Sequence, residues 1–351
     1  MFPRSRQFPG VFAVTLLFAA FGAGWTSLYA DPDNDATVPV DNPPAPFSLD
    51  AITIERDLVY KAVNSKPLAL DLYLPSVPAP GNLPLMVYIH GGGYRKGSRS
   101  EIELHPFFSS ALLELVARGE IALASIDFSK GSKRAPLSVI AKDCADAVSW
   151  LRGVAAERGL DADNVGIAGN ESGGLLALLT ALRPPDPDRG PALRLALAHA
   201  PATDMTRTAE AVADSEDPDM KKIRTQLKIG LGGTLEDVPE NYHGASPVNF
   251  LSADSPPTLI FVGENDARRE QADWFRDAAQ SASANASVVI LSGAGEDPWT
   301  VGAGSNPSTC DLKDSVQQFI RENLSAPAEA NNSRVSAARI WNSTCSRAAT
   351  P

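Results

Sequence analysis

A glycine-rich motif directly follows one of the most apolar runs in the chain. The run is Leu83–Ile89, and the sequence HGGGY occupies residues 90–94. Consecutive glycines at the end of a strand let backbone N–H groups approach a bound oxyanion, because no side chain stands in the way. Such a loop suits the stabilisation of negative charge on a carbonyl oxygen during acyl transfer.

A second motif places a carboxylate beside a hydroxyl where a predicted strand meets a predicted helix. The segment is Gly169-Asn170-Glu171-Ser172-Gly173, and the apolar run LLALL follows shortly after it. Carboxylates and hydroxyls both serve as nucleophiles in enzymes, the hydroxyl only when a base takes its proton. This boundary is therefore a candidate catalytic position.

The two motifs resemble those of α/β-hydrolase esterases and lipases, in particular the feruloyl-esterase-like and hormone-sensitive-lipase-like enzymes. The resemblance covers residues 50–324. It implies an activity on carboxylic esters and an oxyanion hole built from the backbone N–H groups of Gly92, Gly93 and Ser172. It also implies that His90 holds the loop in place and does not transfer protons.

The same resemblance suggests the position of the catalytic acid. The sequence ASP at residues 245–247 is similar to the family's lead-in to the strand that carries the acid, and GEND at residues 263–266 is similar to the end of that strand. Asp266 is therefore expected to be the triad acid.

The family's serine position holds a glutamate in this chain. The family motif is Gly-x-Ser-x-Gly, a tight turn whose apex is crowded, so that the residues two before and two after it are small. Glu171 at the apex has Gly169 and Gly173 at these positions, whereas Ser172 at the apex would have Asn170 at one of them. We favour Glu171 and keep Ser172 as the alternative nucleophile.

The family's histidine position holds a glutamate as well. The family's last strand leads into Gly-Ala-Gly-His, and this chain has GAGE at residues 293–296, so that Glu296 stands where the base is expected. No histidine follows His243. His105, His199 and His243 are expected to be structural or surface residues, and His243 is the best substitute base among them.

Three carboxylates, Glu171, Asp266 and Glu296, would then converge on one site. Two carboxylates about 4 Å apart repel each other by roughly 4 kcal/mol at an effective dielectric near 20. The cluster must therefore hold a proton, recruit a basic side chain or bind a cation. The basic candidates nearby in the sequence are Arg95, Lys96, Arg268 and Arg269. A calcium-like ion would suit the oxygen ligands, but no known ligand spacing matches, so neither a metal nor a cofactor is expected.

Three functions follow from these substitutions. The first, which we favour, is a degenerate, non-catalytic hydrolase relative that keeps the pocket and the oxyanion-hole backbone and binds a ligand. The second is an active ester hydrolase that uses Ser172 with an unusual base such as His243. The third is carboxylate-based chemistry by Glu171 and Glu296, for example on a glycosyl bond.

The elements that must position these residues follow an α/β pattern. Short β-rich runs alternate with helical patterns, and continuous apolar runs indicate parallel strands buried on both faces. The first three β-rich runs have no predicted helix between them and suggest an antiparallel start. With the family resemblance, the pattern predicts an α/β-hydrolase fold: a mostly parallel sheet of about eight strands, helices on both faces, and a small, partly helical cap over residues 205–247.

The two ends of the chain differ from this domain. Residues 1–30 contain a short basic region and an apolar stretch at 11–25, typical of a signal peptide cleaved after Ala30, although a retained anchor is the alternative. A signal peptide predicts a secreted or periplasmic protein with no membrane span in the mature chain. Residues 31–49 form an acidic, proline-rich linker and residues 325–351 a loose tail.

Charge and cysteine content narrow the partners further. The net charge of −11 argues against nucleic acid and anionic membranes and excludes little else. A small ester-like or carbohydrate-linked compound is the candidate ligand. Cys144 lies in a helical pattern and is expected to be a buried free thiol. Cys310 and Cys345 are either bridged or free, because sequence does not fix disulfide connectivity.

Overall fold

The computed structural model describes residues 48–63, 65–132, 136–183, 192–295 and 309–324. Outside these ranges lie the predicted signal peptide, the linker up to residue 47 and the C-terminal tail, which includes Cys345. Glu296 also lies outside them, and so does the side chain of Cys310. No helix in the described ranges is long and apolar enough to cross a membrane.

Eight strands form one sheet, as the sequence predicts. Their order in the sheet is β1-β2-β4-β3-β5-β6-β7-β8, with β2 antiparallel to both of its neighbours and every other pair parallel. The strands are β1 (Ile52–Val63), β2 (Lys66–Pro75), β3 (Leu83–Ile89), β4 (Ala122–Ile126), β5 (Leu160–Asn170), β6 (Leu195–His199), β7 (Thr258–Gly263) and β8 (Ala286–Leu291).

Nine α-helical segments accompany the sheet in the described ranges. They are α1 (Pro106–Phe108), α2 (Glu114–Ala117), α3 (Leu137–Gly153), α4 (Ser172–Leu182), α5 (Met205–Val212), α6 (Pro218–Leu231), α7 (Pro239–Gly244), α8 (Arg269–Ser281) and α9 (Thr309–Leu324). A π-helical turn, Ser109–Leu113, joins α1 to α2 into one continuous helical stretch. The region 205–247 contains α5, α6 and α7.

The antiparallel start suggested by the sequence is wrong for β3. This strand pairs in parallel with β4 on one side and β5 on the other, so only β2 runs against its neighbours. The reason is the helical stretch from α1 to α2, which the sequence analysis did not predict. It connects the end of β3 to the start of β4 and supplies the crossover that a parallel pair requires.

Side chains of each strand alternate between two separate cores. Leu85, Val87 and Ile89 of β3 point into the core covered by α3, α4 and α8. Met86 and Tyr88 point into the core covered by the α1–α2 stretch and α9. This alternation is the pattern of a sheet with helices on both faces, which confirms the predicted fold class.

Two details of the core concern the site. Cys144, in α3, is fully buried and free, as expected. The parallel strands β5, β6 and β7 are neighbours and end at Asn170, His199 and Gly263. Because the carboxyl ends of parallel strands meet at one edge, residues that follow these three strands lie close together.

A buried carboxylate ties α9 to the rest of the domain. Glu114, in α2, accepts hydrogen bonds from Lys313 Nζ at 2.9 Å and Gln317 Nε2 at 3.1 Å, and it pairs with Arg118. Burial raises the pKa of Glu114, but the bonds from Lys313 and Gln317 and the charges of Lys313 and Arg118 outweigh it, so that the pKa is lowered. The ionised carboxylate therefore stabilises the docked helix.

We expect Glu114→Gln to lower the free energy of unfolding by about 1–3 kcal/mol near neutral pH, measured by chemical denaturation. Because folding lowers the pKa of this carboxyl, its contribution is complete above the unfolded-state value of about 4.3 and is lost as the pH falls through the folded-state pKa. The variant should therefore approach wild type in acid. The control Glu120→Gln, which removes a half-exposed pair with Arg321, should cost no more than about 1 kcal/mol. An equal cost for both variants would contradict this assignment.

Candidate active site

Glu171 stands at the sharp turn between β5 and α4. Its backbone angles are φ 50° and ψ −114°, in a region that residues with a side chain rarely adopt. Its N–H donates to the His199 carbonyl at 2.8 Å, and its carbonyl accepts from the Leu175 N–H at 3.0 Å. The turn is thereby fixed to the end of β6 and to the first turn of α4.

Glycines two residues before and two residues after Glu171 are required by close backbone contacts. A Cβ atom on Gly169 would lie 2.3 Å from the Gly173 carbonyl oxygen, and one on Gly173 would lie 2.1 Å from the Ile89 carbonyl oxygen. Asn170, by contrast, has room for a side chain, whose Oδ1 accepts from the Tyr88 hydroxyl at 2.8 Å. The apex of the turn is therefore Glu171.

Ser172 is the first residue of α4 and is almost fully buried, with 5% of its surface exposed. Its hydroxyl has no hydrogen-bond partner among the residues that the structure describes. A serine hydroxyl becomes a nucleophile at neutral pH only when a base accepts its proton. Within the described ranges, Ser172 lacks that base.

A buried arginine joins the Glu171 position to the predicted acid. Asp266 follows β7, and its side chain is fully buried. Arg268 holds both of its carboxylate oxygens, with Nε at 3.1 Å from Oδ1 and Nη2 at 3.2 Å from Oδ2. The remaining guanidinium nitrogen, Nη1, lies 3.4 Å from Glu171 Oε1. The guanidinium thus lies between the two carboxylates.

Local chain geometry places Arg268 in this position. Its backbone N–H also donates to Asp266 Oδ1 at 2.7 Å, so the two-residue turn before α8 folds the arginine back over the aspartate. Of the other three basic candidates, Arg95 and Lys96 are exposed, and Arg269 pairs with Asp273 in α8. Arg268 is the one that the fold brings to the carboxylates.

The glycine motif lies against the start of α4. The φ angles of Gly92 and Gly93 are 92° and 61°, and the Gly92 carbonyl accepts from the Lys96 N–H at 3.1 Å. A Cβ on Gly173 would also meet the His90 carbonyl oxygen at 2.4 Å, which shows how closely the motif approaches α4. The N–H groups of Gly92, Gly93 and Ser172 donate to no acceptor in the described ranges.

Two of the four histidines are buried and uncharged. His90 Nδ1 lies 2.8 Å from the Gly91 carbonyl oxygen, and its ring stacks on Phe128. Burial lowers the pKa of His90 to about 4, with a smaller contribution from the Lys130 charge. Burial, together with the charges of His105 and Arg268, lowers the pKa of His199 well below its usual value. Both rings are therefore neutral near pH 7.

The other two histidines have local contacts of their own. His105 precedes α1, and its Nδ1 accepts from the Phe108 N–H at 3.2 Å. His243 is exposed on α7, with its ring 6.1 Å from that of Phe250. The described residues include no group of His, Cys, Asp or Glu side chains arranged to hold a metal ion.

An apolar cavity of about 100 Å³ opens beside the glycine motif. Gly93, Tyr94 and Arg95 form one wall, and the rest comes mainly from α3, α5 and α6. The Tyr94 hydroxyl is buried without a partner among the described residues. Burial and the Glu171 charge raise the pKa of Tyr94. Sequence analysis missed this residue as part of the site, although its place at the end of the HGGGY motif was a signal.

We expect Arg268→Met to destabilise the fold by about 3–5 kcal/mol near neutral pH, because it leaves two carboxylates without their shared counter-charge. The neighbouring control Arg269→Met removes a partly exposed pair and should cost about 1 kcal/mol or less. Chemical denaturation of both variants near neutral pH measures the difference, and equal costs would show that Arg268 is not the counter-charge.

Comparison with known proteins agrees with this geometry. The family model BD-FAE matches residues 70–275. Among curated proteins, the probable carboxylic ester hydrolase LipM of Mycobacterium tuberculosis is 29% identical over 207 residues, 56% of this chain and 45% of that protein. Esterase LipC of the same organism is 27% identical over 235 residues, 63% of this chain and 54% of that protein. The matched part of the chain thus spans about half the length of these relatives.

Solved esterase structures share the fold. The butyrate-bound Est2 esterase of Thermogutta terrifontis has a TM-score of 0.60 at 24% identity, covering 78% of this chain and 95% of that chain. A bacterial heroin esterase has a TM-score of 0.62 at 18% identity, covering 80% of this chain and 87% of that chain. Since the family match extends over more than half of the 351 residues, the chain belongs to the BD-FAE family of α/β-hydrolase esterases.

Proposed function

We propose that this chain is an exported, ligand-binding member of the esterase family that has lost serine-based ester hydrolysis. The observation that carries the proposal is the Arg268 guanidinium between Glu171 and Asp266. By resemblance to the family, these two carboxylates stand at the nucleophile and acid positions. Arg268 fills the space between them, where the catalytic imidazole of an active enzyme would bridge the two.

An arginine in this place does not replace the histidine. Serine hydrolysis needs a group that takes the hydroxyl proton and later returns it to the leaving group. A guanidinium stays protonated at all physiological pH values and has no acceptor site. Both oxygens of Asp266 are already bonded to Arg268, so the aspartate is not available to orient an imidazole.

The two catalytic alternatives have less support. Use of Ser172 requires a base, and its buried hydroxyl contacts none in the described ranges. Carboxylate chemistry would need Glu171 as a free base or nucleophile. Glu171 is instead paired with the Arg268 guanidinium, whose Nη1 lies 3.4 Å from its Oε1, so it is not a free carboxylate. A non-catalytic site is the simplest account of both observations.

The proposed ligand is a small acyl compound. The names of the relatives describe ester hydrolases, and the cavity beside Gly93 and Tyr94 is apolar on most of its surface. Export, the other part of the proposal, rests on the apolar segment within residues 1–30. It predicts that the mature protein begins at Asp31, which N-terminal sequencing of the exported protein would test.

We expect no turnover of p-nitrophenyl butyrate above the background of buffer, because the site has neither an activated hydroxyl nor a proton acceptor. Wild type and Ser172→Ala should be indistinguishable in a spectrophotometric assay. Activity abolished by Ser172→Ala would contradict the proposal and make Ser172 the nucleophile. Activity that survives this change but is lost in Glu171→Gln would instead establish carboxylate chemistry.

Restoration of the family residues should also depend on Arg268. Glu171→Ser alone should stay inactive, and adding Glu296→His should help little while Arg268 still covers Asp266. The triple change that includes Arg268→Ala frees Asp266 to orient the new imidazole. We expect ester hydrolysis in the triple variant roughly 10²-fold above the double variant, the size of a general-base contribution. Equal rates for the two variants would show that Arg268 does not block the site.

A further inference from the structure

The site offers hydrogen-bond donors that no described residue uses. The N–H groups of Gly92, Gly93 and Ser172 have no acceptor in the described ranges. Ser172 begins an eleven-residue helix, whose first N–H groups have no partner within the helix. The buried Tyr94 hydroxyl is also without a partner there. A ligand that satisfies this group of donors must carry an acceptor oxygen.

The same site also presents a negative charge. Glu171 and Asp266 share a single guanidinium, so these three groups carry a net charge of one negative unit. The Glu171 side chain is 16% exposed, whereas that of Asp266 is fully buried. Glu171 is therefore the carboxylate that a ligand can reach, and it offers acceptor oxygens to a ligand that carries an N–H donor.

We propose that the site selects short-chain aliphatic carboxamides over the matching carboxylates. This inference rests on the proposed function, because the site holds an acyl compound as a ligand only if the protein does not hydrolyse it. The carboxamide oxygen accepts from the N–H groups of Gly92, Gly93 and Ser172, and its nitrogen donates to Glu171. The alkyl chain lies in the adjacent cavity, among Leu137, Ile140, Met205, Ile223 and Leu227.

Each other simple ligand satisfies only part of this arrangement. A carboxylate supplies the acceptor oxygen, but its charge is repelled by Glu171 at a distance of a few ångströms. An alkylammonium ion pairs with Glu171 but leaves the backbone donors unpaired. A carboxamide carries the oxygen acceptor and the N–H donor on one carbon and is neutral. The cavity volume of about 100 Å³ leaves room for several water-sized groups, enough for a short chain.

The test uses three probes of nearly equal size: butyramide, butyrate and butylamine. Each is titrated against the full-length protein near neutral pH, with binding followed by ligand-observed NMR and by calorimetry. We expect butyramide to bind about tenfold or more tightly than butyrate, and more tightly than butylamine. Butyrate or butylamine binding as tightly as butyramide would overturn the proposal, and so would the absence of butyramide binding up to its solubility limit.

Glu171→Gln keeps the shape of the side chain and removes its charge. In this variant the preference for butyramide over butyrate should fall to within about threefold, mainly through tighter butyrate binding. The matched control is Glu157→Gln, which removes a carboxylate that is 79% exposed and precedes the opposite end of β5. The control should keep the wild-type preference. An unchanged preference in Glu171→Gln would show that Glu171 does not select the ligand.

Failure of this inference is distinguishable from failure of the proposed function. Absence of ester turnover together with no preference for butyramide would overturn only the ligand assignment. Release of butyrate or ammonia from butyramide, detected in the same NMR samples, would overturn both, because the site would then be catalytic.

Discussion

The guanidinium of Arg268 fixes the charge balance on which the site depends. A carboxylate as deeply buried as that of Asp266 is costly unless a cation and hydrogen bonds compensate it, by several kcal/mol even after relaxation. Arg268 provides both, through two side-chain bonds and its own backbone N–H. Its third nitrogen is then directed towards Glu171. The arginine therefore compensates two carboxylates and at the same time fills the space between them.

The sheet makes this arrangement possible. Glu171 follows β5, and its N–H is bonded to the end of β6, while Asp266 follows β7. The carboxyl ends of three adjacent parallel strands thus place the backbone of the site at one edge of the sheet. The glycine contacts at 169 and 173 hold the turn whatever side chain stands at its apex. The turn therefore keeps its backbone geometry with a glutamate at its apex.

Much of the sheet and of the turn at Glu171 could be predicted from the sequence, because their sequence signals are local. The β-rich runs together with the family resemblance predicted a mostly parallel sheet of about eight strands, and the spacing of Gly169 and Gly173 indicated the apex of the turn. The α1–α2 stretch was missed, and with it the parallel pairing of β3. Its buried residues at 107, 108, 111, 112, 115 and 116 recur every four positions, so a helical signal was present in the sequence, although a π-helical turn interrupts the α-helical hydrogen bonding.

The role of Arg268 lay beyond the sequence for a different reason. Charge repulsion showed that the carboxylates need a counter-charge, but four basic residues were eligible. The choice among them depends on the turn between β7 and α8, which folds Arg268 back and directs Arg269 along the helix to Asp273. The tertiary geometry determines which basic residue pairs with the carboxylates. Residue type and spacing alone do not identify it.

The central claim is that the site contains no activated serine, and covalent labelling tests it most directly. A fluorophosphonate reacts with the activated serine of a hydrolase, and intact-protein mass spectrometry followed by peptide mapping detects the adduct. The account predicts that the wild-type protein gains no phosphonate mass under conditions in which an active serine esterase is fully labelled. A stoichiometric adduct mapped to Ser172 would contradict it.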